Sequence, residues 1–102
     1  MYCIEEMPLL QQAYDQETAK PDGVVLLTVN VQDTSATVKS FMEDGTYTFP
    51  ALIDSGGRVA RAYSVSAIPV TYLIGRDGIV RYVKRGKFLS INEVNVALGR
   101  VR

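Results

Sequence analysis

The single cysteine, Cys3, is the residue through which this chain of 102 residues could perform nucleophilic chemistry. The sequence contains no histidine, so one chain cannot supply a Ser-His-Asp triad, a Cys-His dyad or a zinc site of the Cys/His type. One cysteine also excludes an intrachain disulfide bond. Any chemistry must therefore centre on Cys3, on carboxylates or on a partner.

Cys3 lies just ahead of a predicted helix, and Pro8 suits the first turn of that helix. Disulfide exchange requires a thiolate, which the unpaired N–H groups and the positive dipole end of a helix N-terminus stabilise. The alternative is that Cys3 is a small, buried and inert apolar side chain. Taken alone, the residue types favour this alternative.

The composition is that of a soluble globular protein with one domain, residues 1–102. Eleven basic residues balance eleven acidic ones, so no net charge favours a nucleic acid or an anionic membrane as partner. The longest apolar run, residues 24–29, is interrupted by Thr28 and is far too short to cross a bilayer.

The first half of the chain predicts two helices and two strands. A helical face formed by Met7, Leu10 and Tyr14 predicts a helix from Met7 to about Ala19, which a Pro-Asp-Gly turn ends. Residues 24–31 are almost continuously β-prone and predict a strand that is covered on both faces. A second helix follows, with one apolar face made of Val38, Phe41 and Met42, and it stops near Gly45. Residues 49–53 then predict a short strand.

The second half predicts a short helix over residues 58–63, a hairpin of residues 70–74 with 79–83, and a final helix. An Asp-Gly pair lies in the hairpin loop, and Ser90 with Glu93 has the form of a capping box. The final helix has one apolar face, made of Ile91, Val94, Leu98 and Val101. The order α-β-α-β-α-β-β-α indicates an α/β sandwich.

Three segments, in order along the chain, carry a family resemblance. They are residues 3–8 (Cys-Ile-Glu-Glu-Met-Pro), residues 29–33 (Val-Asn-Val-Gln-Asp) running on to 49–54 (Phe-Pro-Ala-Leu-Ile-Asp), and residues 62–74 around Pro69. Together they resemble the TlpA/ResA-like branch of the thioredoxin superfamily. The first is similar to the C-x-x-E-M-P that completes the family's W-C-x-x-C motif, and the last to the stretch around its cis-proline.

This resemblance implies a thioredoxin-like three-layer α/β sandwich with a mixed sheet and the inserted helix–strand segment of the branch. It also implies a departure, because Cys3 matches the second, resolving cysteine. The nucleophilic cysteine then belongs one place before Met1, and the family's first strand, expected in the middle of the sheet, is missing as well. We therefore expect a chain truncated within the C-x-x-C motif.

Pro69 has two interpretations. Only about 5–6% of X–Pro bonds in folded proteins are cis, and a proline at the first position of a strand is unremarkable, so its sequence context alone predicts a trans bond. The resemblance implies the reverse: a cis-proline against the active-site cysteines, preceded by a residue, Ile68, whose backbone binds an extended substrate segment.

Asp33 also has two interpretations. The resemblance implies an acidic residue near the cysteines that helps to move a proton during exchange, since a desolvated carboxylate beside a thiol has a raised pKa. Alternatively, Asp33 or Thr34 caps the second helix. The two roles are weighted evenly.

The function implied by the resemblance is thiol–disulfide exchange on proteins, with Cys3 and Asp33 as catalytic residues and Ile68 and Pro69 as substrate-binding residues. The chain is expected to be inactive as it stands, because the nucleophilic cysteine is absent. No metal or organic cofactor is implied. The implied partners are substrate proteins and a membrane or soluble electron donor, and the implied location is extracytoplasmic in a bacterium, either periplasmic or membrane-tethered, with a cytoplasmic location as the alternative.

Two other functions stay open. One is a thioredoxin-like module that binds partners without turnover. The other is a peroxiredoxin-like peroxidase, because residues 49–54 and 72–78 are similar to that family too, although here the proline follows the cysteine. Loss of a central strand would also expose strand edges, which predicts self-association.

Overall fold

The computed structural model describes residues 5–102, which form four helices and four strands in the predicted order. Cys3 lies outside the described residues. In chain order the elements are α1 (Met7–Thr18), β1 (Thr28–Val31), α2 (Ser35–Gly45), β2 (Ala51–Asp54), α3 (Arg58–Ala62), β3 (Val70–Ile74), β4 (Val80–Arg85) and α4 (Ile91–Leu98).

The contacts divide the chain into two compact units. The first comprises Met1–Val25 and Ala67–Arg102, and the second comprises Leu26–Ser66. The assignment of residues 1–102 to one domain stays a prediction. In the first unit, α1 packs against α4, and β3 pairs with β4. Its buried core is formed by Ala13, Leu73, Phe88, Val94, Ala97 and Leu98.

The β3–β4 hairpin is antiparallel, as predicted, with Val70 opposite Arg85 and Leu73 opposite Tyr82. Its second strand begins one residue later than predicted, because the Ile79 N–H donates to the Asp77 carboxylate at 3.2 Å. Gly78 in the loop has a φ of 81°, which is the left-handed conformation that glycine adopts without strain.

Helix α1 buries a different face from the predicted one. The buried residues are Leu10, Ala13 and Glu17, whereas Met7 and Tyr14 are only partly covered. Apolar periodicity could not place Glu17 inside, because its burial depends on donors from other segments. Arg102 binds both carboxylate oxygens at 2.9 and 2.5 Å, Val24 N–H donates at 2.9 Å, and Lys20 Nζ lies at 2.9 Å.

Helix α4 begins as predicted. The Ser90 hydroxyl accepts from Glu93 N–H at 3.1 Å, and the Glu93 carboxylate accepts in return from Leu89 N–H at 2.9 Å. The return bond reaches one residue further back than in the standard capping box. Val94 and Leu98 are buried in the core, and Ile91 and Val101 pack against it, so the predicted apolar face is confirmed.

In the second unit, β1 and β2 form a parallel pair with Thr28 opposite Ala51 and Val31 opposite Asp54. The predicted strand over residues 24–31 was too long. Its partner has only four residues, and the Val24 N–H is bound to Glu17 instead of a neighbouring strand. Helices α2 and α3 both pack against β2, and the aromatic rings of Phe41, Tyr47 and Phe49 contact one another in sequence.

Helix α2 is capped by Thr34, whose hydroxyl accepts from Thr37 N–H at 3.2 Å. The alternative that Asp33 caps this helix was therefore wrong. Helix α2 ends at Gly45, as predicted. The start of α3 is held by Asp54, whose carboxylate accepts from the N–H groups of Val59 and Ala60. These bonds lower the pKa of Asp54.

The described strands form two separate two-stranded ladders, one parallel and one antiparallel. The expected mixture of parallel and antiparallel pairing is present, but within residues 5–102 no strand joins the two ladders into one sheet. The place of α2 and β2 as an inserted segment stays a prediction.

Gly23 is required by close packing of the backbone. A Cβ atom at this position would lie 1.8 Å from the carbonyl oxygen of Glu17. We expect Gly23→Ala to lower the free energy of unfolding by about 2–3 kcal/mol, since backbone atoms cannot move aside cheaply. Gly56→Ala is the matched control, because its Cβ would meet nothing closer than 3.9 Å. Equal urea midpoints for the two variants would contradict this reading of the packing.

The ion pair of Glu17 with Arg102 makes stability depend on pH. The hydrogen bonds from Arg102 are the largest of the causes that lower the pKa of Glu17 from 4.5 to about 2. A carboxylate with a lowered pKa stabilises the folded state above its unfolded value and loses that contribution as pH falls through the folded value. The full pKa shift of Glu17 corresponds to about 3 kcal/mol of folding free energy. Because solvent screens the partly exposed Arg102, we expect the ion pair to contribute roughly 2 kcal/mol.

Arg102→Gln should therefore be destabilised at pH 7, and its difference from the wild type should shrink between about pH 4.5 and 2. Arg100→Gln provides the control, since Arg100 stacks on the Tyr82 ring at 4.4 Å, and that contact does not titrate in this range. Urea unfolding at pH 7, 4 and 2.5 measures both. A pH-independent deficit in Arg102→Gln would show that the ion pair is not its cause.

Candidate functional site

The Ile68–Pro69 peptide bond is cis, as the family resemblance implied. The substrate-binding role of Pro69 stays a prediction. Pro69 stands directly before β3, and its carbonyl oxygen accepts from Gly86 N–H at 3.0 Å, which extends the hairpin ladder by one step. Ile68 is 47% exposed and so is accessible to a second molecule. Its role in binding an extended substrate segment stays a prediction.

Glu6 is a chemically notable residue that is absent from the catalytic residues predicted from the sequence. It occupies the N-cap of α1, three positions after Cys3, and is only 3% exposed. One carboxylate oxygen accepts from Phe88 N–H at 2.7 Å. Burial raises the pKa of Glu6, and the hydrogen bond from Phe88 and the charge of Lys84 oppose that rise, while the charge of Glu93 adds to it.

The neighbouring Glu5 behaves differently. Its side chain is 76% exposed and forms an ion pair with Lys87. Hydrophobic periodicity cannot distinguish two adjacent glutamates ahead of a helix, because neither belongs to the apolar face. The only signal in the sequence was the C-x-x-E spacing, which puts Glu6 three positions after the cysteine.

The segment of residues 86–88 connects these features within the first unit. Gly86 N–H binds the carbonyl of Pro69, Lys87 pairs with Glu5, and Phe88 N–H binds Glu6. The structure thus brings Pro69 and the beginning of α1 onto one short stretch of chain.

Asp33 belongs to the second unit, directly after Gln32, which has a left-handed φ of 60°. Asp33 is partly buried. Because Thr34 is the helix cap, capping does not explain Asp33, and its proton-transfer role stays a prediction. Cys3 lies outside the described residues, so its predicted proximity to Asp33 and Pro69 stays a prediction.

Residues 5–102 contain no group of three His, Cys, Asp or Glu side chains placed to hold a metal ion. They also contain no helix that is long and apolar enough to span a membrane.

The chemistry available to the first unit is proton exchange. A buried carboxyl group with a raised pKa can hold or release a proton closer to neutral pH than an ordinary glutamate. Placed at the start of a helix that follows a cysteine in sequence, such a group suits reactions in which a thiol is alternately protonated and ionised.

Comparisons with known proteins agree with this chemistry. Residues 1–83 match the AhpC/TSA family. The thiol-disulfide oxidoreductase ResA of Geobacillus kaustophilus is 37% identical over 84 residues, which are 82% of this chain and 47% of that protein. ResA of Bacillus subtilis is 34% identical over 84 residues, which are 82% of this chain and 46% of that protein.

Similarity extends to the three-dimensional structure. The crystal structure of StoA from Bacillus subtilis superposes with a TM-score of 0.79 at 28% identity, covering 92% of this chain and 70% of StoA. The chain spans slightly less than half of the length of the two ResA proteins. It is a member of the AhpC/TSA family with a thioredoxin-like α/β fold, and it is related to the thiol–disulfide oxidoreductases named ResA.

Proposed function

We propose that this chain is part of a thiol–disulfide oxidoreductase that acts on protein thiols and disulfides, with Cys3 as the resolving cysteine. The observation that carries the proposal is the 37% identity to a thiol-disulfide oxidoreductase over 84 residues. The family match spans residues 1–83 and so includes Cys3.

The proposed reaction needs a second cysteine as nucleophile. Its thiolate attacks a substrate disulfide, which forms a mixed disulfide and releases one substrate thiolate. The Cys3 thiolate then attacks the mixed disulfide, which forms a Cys-x-x-Cys disulfide and releases the second substrate thiolate. The substrate gains two electrons, and the cysteine pair loses two. With one cysteine, the 102 residues can form only a mixed disulfide or an interchain bridge.

Ile68 and Pro69 are proposed to position the substrate, since Ile68 is exposed and the following strand is fixed to β4. Asp33 and Glu6 are the candidate proton carriers. Burial and a raised pKa support Glu6, whereas Asp33 rests on its position in the family pattern. The partners would be substrate proteins and a membrane or soluble electron donor, in an extracytoplasmic compartment.

The test is insulin reduction by two forms of the chain, the 102 residues alone and the same residues preceded by Trp-Cys. We expect turnover only in the extended form, because only that form has a Cys-x-x-Cys pair. In the extended form, Cys3→Ser should accumulate a mixed disulfide that mass spectrometry detects, and turnover should fall at least tenfold.

Other outcomes would assign the other functions. Peroxide consumption by either form would favour a peroxidase. Silence of both forms in both assays would favour a binding module without turnover. Full turnover in the extended Cys3→Ser variant would remove Cys3 from the mechanism.

We also propose that the isolated chain self-associates through the β1–β2 ladder. Val29 and Leu52 are register partners, are 42% and 47% exposed, and so present adjacent apolar side chains. Among the described strands, β1 and β2 pair only with each other, so neither outer edge of the ladder has a partner strand within residues 5–102.

Light scattering at increasing concentration tests this association. The wild-type chain should gain mass with concentration, and Leu52→Lys should shift it towards the monomer by placing a charge on the ladder. Val96→Lys is the control, since Val96 is 59% exposed and belongs to α4, not to the ladder. A monodisperse wild-type monomer would contradict the proposal.

A further inference from the structure

Arg85 is the last residue of β4 and lies next to Pro69 within the first unit of the chain. It is the register partner of Val70, the residue that follows Pro69. The next residue, Gly86, donates its N–H to the Pro69 carbonyl oxygen at 3.0 Å. The backbone of Arg85 is therefore held one ladder position from Pro69 by the hydrogen bonds of the hairpin.

The side chain of Arg85 points away from α4. Side chains alternate between the two faces of a strand. The preceding residue, Lys84, faces α4, since its Nζ lies 3.2 Å from a carboxylate oxygen of Glu93. Arg85 therefore shares the opposite face with its register partner Val70, and it is exposed to solvent.

Arg85 also differs from the other cations of the first unit in its contacts. Six of them form ion pairs with carboxylates, namely Lys20, Arg76, Arg81, Lys84, Lys87 and Arg102. Arg100 lies over the Tyr82 ring at 4.4 Å. Across residues 5–102, no carboxylate, hydrogen-bond acceptor or aromatic ring contacts the Arg85 guanidinium.

We propose that Arg85 is a specificity-determining residue, which selects substrate segments that carry a carboxylate close to the reacting cysteine. The inference rests on the proposed function, in which a substrate segment lies along the exposed Ile68. An extended segment advances about 3.3 Å per residue, so a long arginine side chain reaches roughly two residues along it. The preferred substrates therefore have an aspartate or glutamate within about two residues of the cysteine.

The guanidinium of Arg85 suits this ligand. Its planar fork of N–H donors binds a carboxylate through two parallel hydrogen bonds, and no existing ion pair has to break first. Lys87 is close in sequence, but it would have to leave Glu5 in order to bind a substrate carboxylate. Since Arg85 is exposed, its charge acts mainly on association, and salt weakens its effect.

The alternative is a purely protective role for Arg85. A basic side chain at the end of an edge strand discourages that strand from pairing with another chain. In that role, Arg85 would not make turnover depend on the charge of the substrate.

The experiment measures kcat/KM of the chain extended by Trp-Cys on three peptides. Each peptide has the same intramolecular disulfide, and the residue two places from one cysteine is Asp, Asn or Lys. We expect the Asp peptide to exceed the Asn peptide roughly two- to fivefold, mainly through KM, and the Lys peptide to be the poorest. Reduction of the peptides by dithiothreitol corrects for their intrinsic reactivity.

Arg85→Gln should remove this order of the three peptides, and Arg85→Glu should reverse it. Because the Arg85 guanidinium has no contact among the described residues, both variants should keep the wild-type urea midpoint. A wild-type order of the peptides in Arg85→Gln would overturn the proposal.

Arg76→Gln is the matched control, because it removes one positive charge from the opposite end of the hairpin, where the Arg76 side chain is 74% exposed. This position is about 15–20 Å from Val70 along the strand, which exceeds the Debye length in 0.1 M salt. Arg76→Gln should keep the wild-type order of the peptides. Equal losses of preference in Arg76→Gln and Arg85→Gln would indicate steering by overall charge and overturn the proposal.

Binding is measured separately from turnover. In an NMR titration of the 102-residue chain, the Asp peptide with serine in place of both cysteines should shift the Arg85 Nε–H signal and the Ile68 amide signal. The Lys peptide should shift neither. These shifts without reduction of any peptide by the extended chain would support recognition by Arg85 and count against the proposed function. Reduction of all three peptides at rates that ignore Arg85 would overturn the proposal and leave the proposed function intact.

Discussion

A buried carboxylate must find hydrogen-bond donors or lose its charge, and this constraint acts at both ends of α1. At the beginning of the helix, Glu6 takes the N–H of Phe88, and near its end Glu17 takes Arg102 and the N–H of Val24. Glu6 and Phe88 are 82 residues apart, and Glu17 and Arg102 are 85 apart. Leu10 and Ala13 bury apolar surface between these two ends, and the polar contacts fix the ends of the helix to the C-terminal segments.

The two glutamates resolve the same constraint differently. Glu17 meets a bidentate guanidinium and stays ionised, so its pKa falls to about 2. Glu6 meets one backbone N–H, and burial outweighs that bond, so its pKa rises. Its stabilising contribution is then present below the unfolded value and is lost as pH rises through the folded value. Glu17 is therefore an ionised structural anchor, whereas burial shifts Glu6 towards the neutral acid.

The order of all eight elements could be predicted from the sequence because turn residues and apolar periodicity are local signals. The face of α1 could not, since Glu17 is buried only because Arg102 reaches it from the other end of the chain. The first strand was predicted too long for a related reason: strand length depends on a partner, and β2 offers four residues. The cis bond at Pro69 was predicted only through family resemblance, because residue propensities favour trans.

The candidate site was likewise predictable only where a local motif marks the residue. Pro69 was recognisable from a motif, whereas the bond of Glu6 to Phe88 N–H joins two residues that no motif connects. Local patterns could not separate Glu6 from Glu5, although the fold gives them opposite environments.

Residues 86–88 carry three successive attachments, to Pro69, to Glu5 and to Glu6. Each of these three residues binds a different anchor. The distances between the anchors must therefore match the distances between successive residues of this stretch. An insertion or deletion within this stretch would satisfy one attachment only by breaking another. The length of this stretch is therefore constrained by the three anchors together. Its residue types are constrained too, because Lys87 binds through its side chain, Phe88 is buried in the core and Gly86 has a φ of 90°.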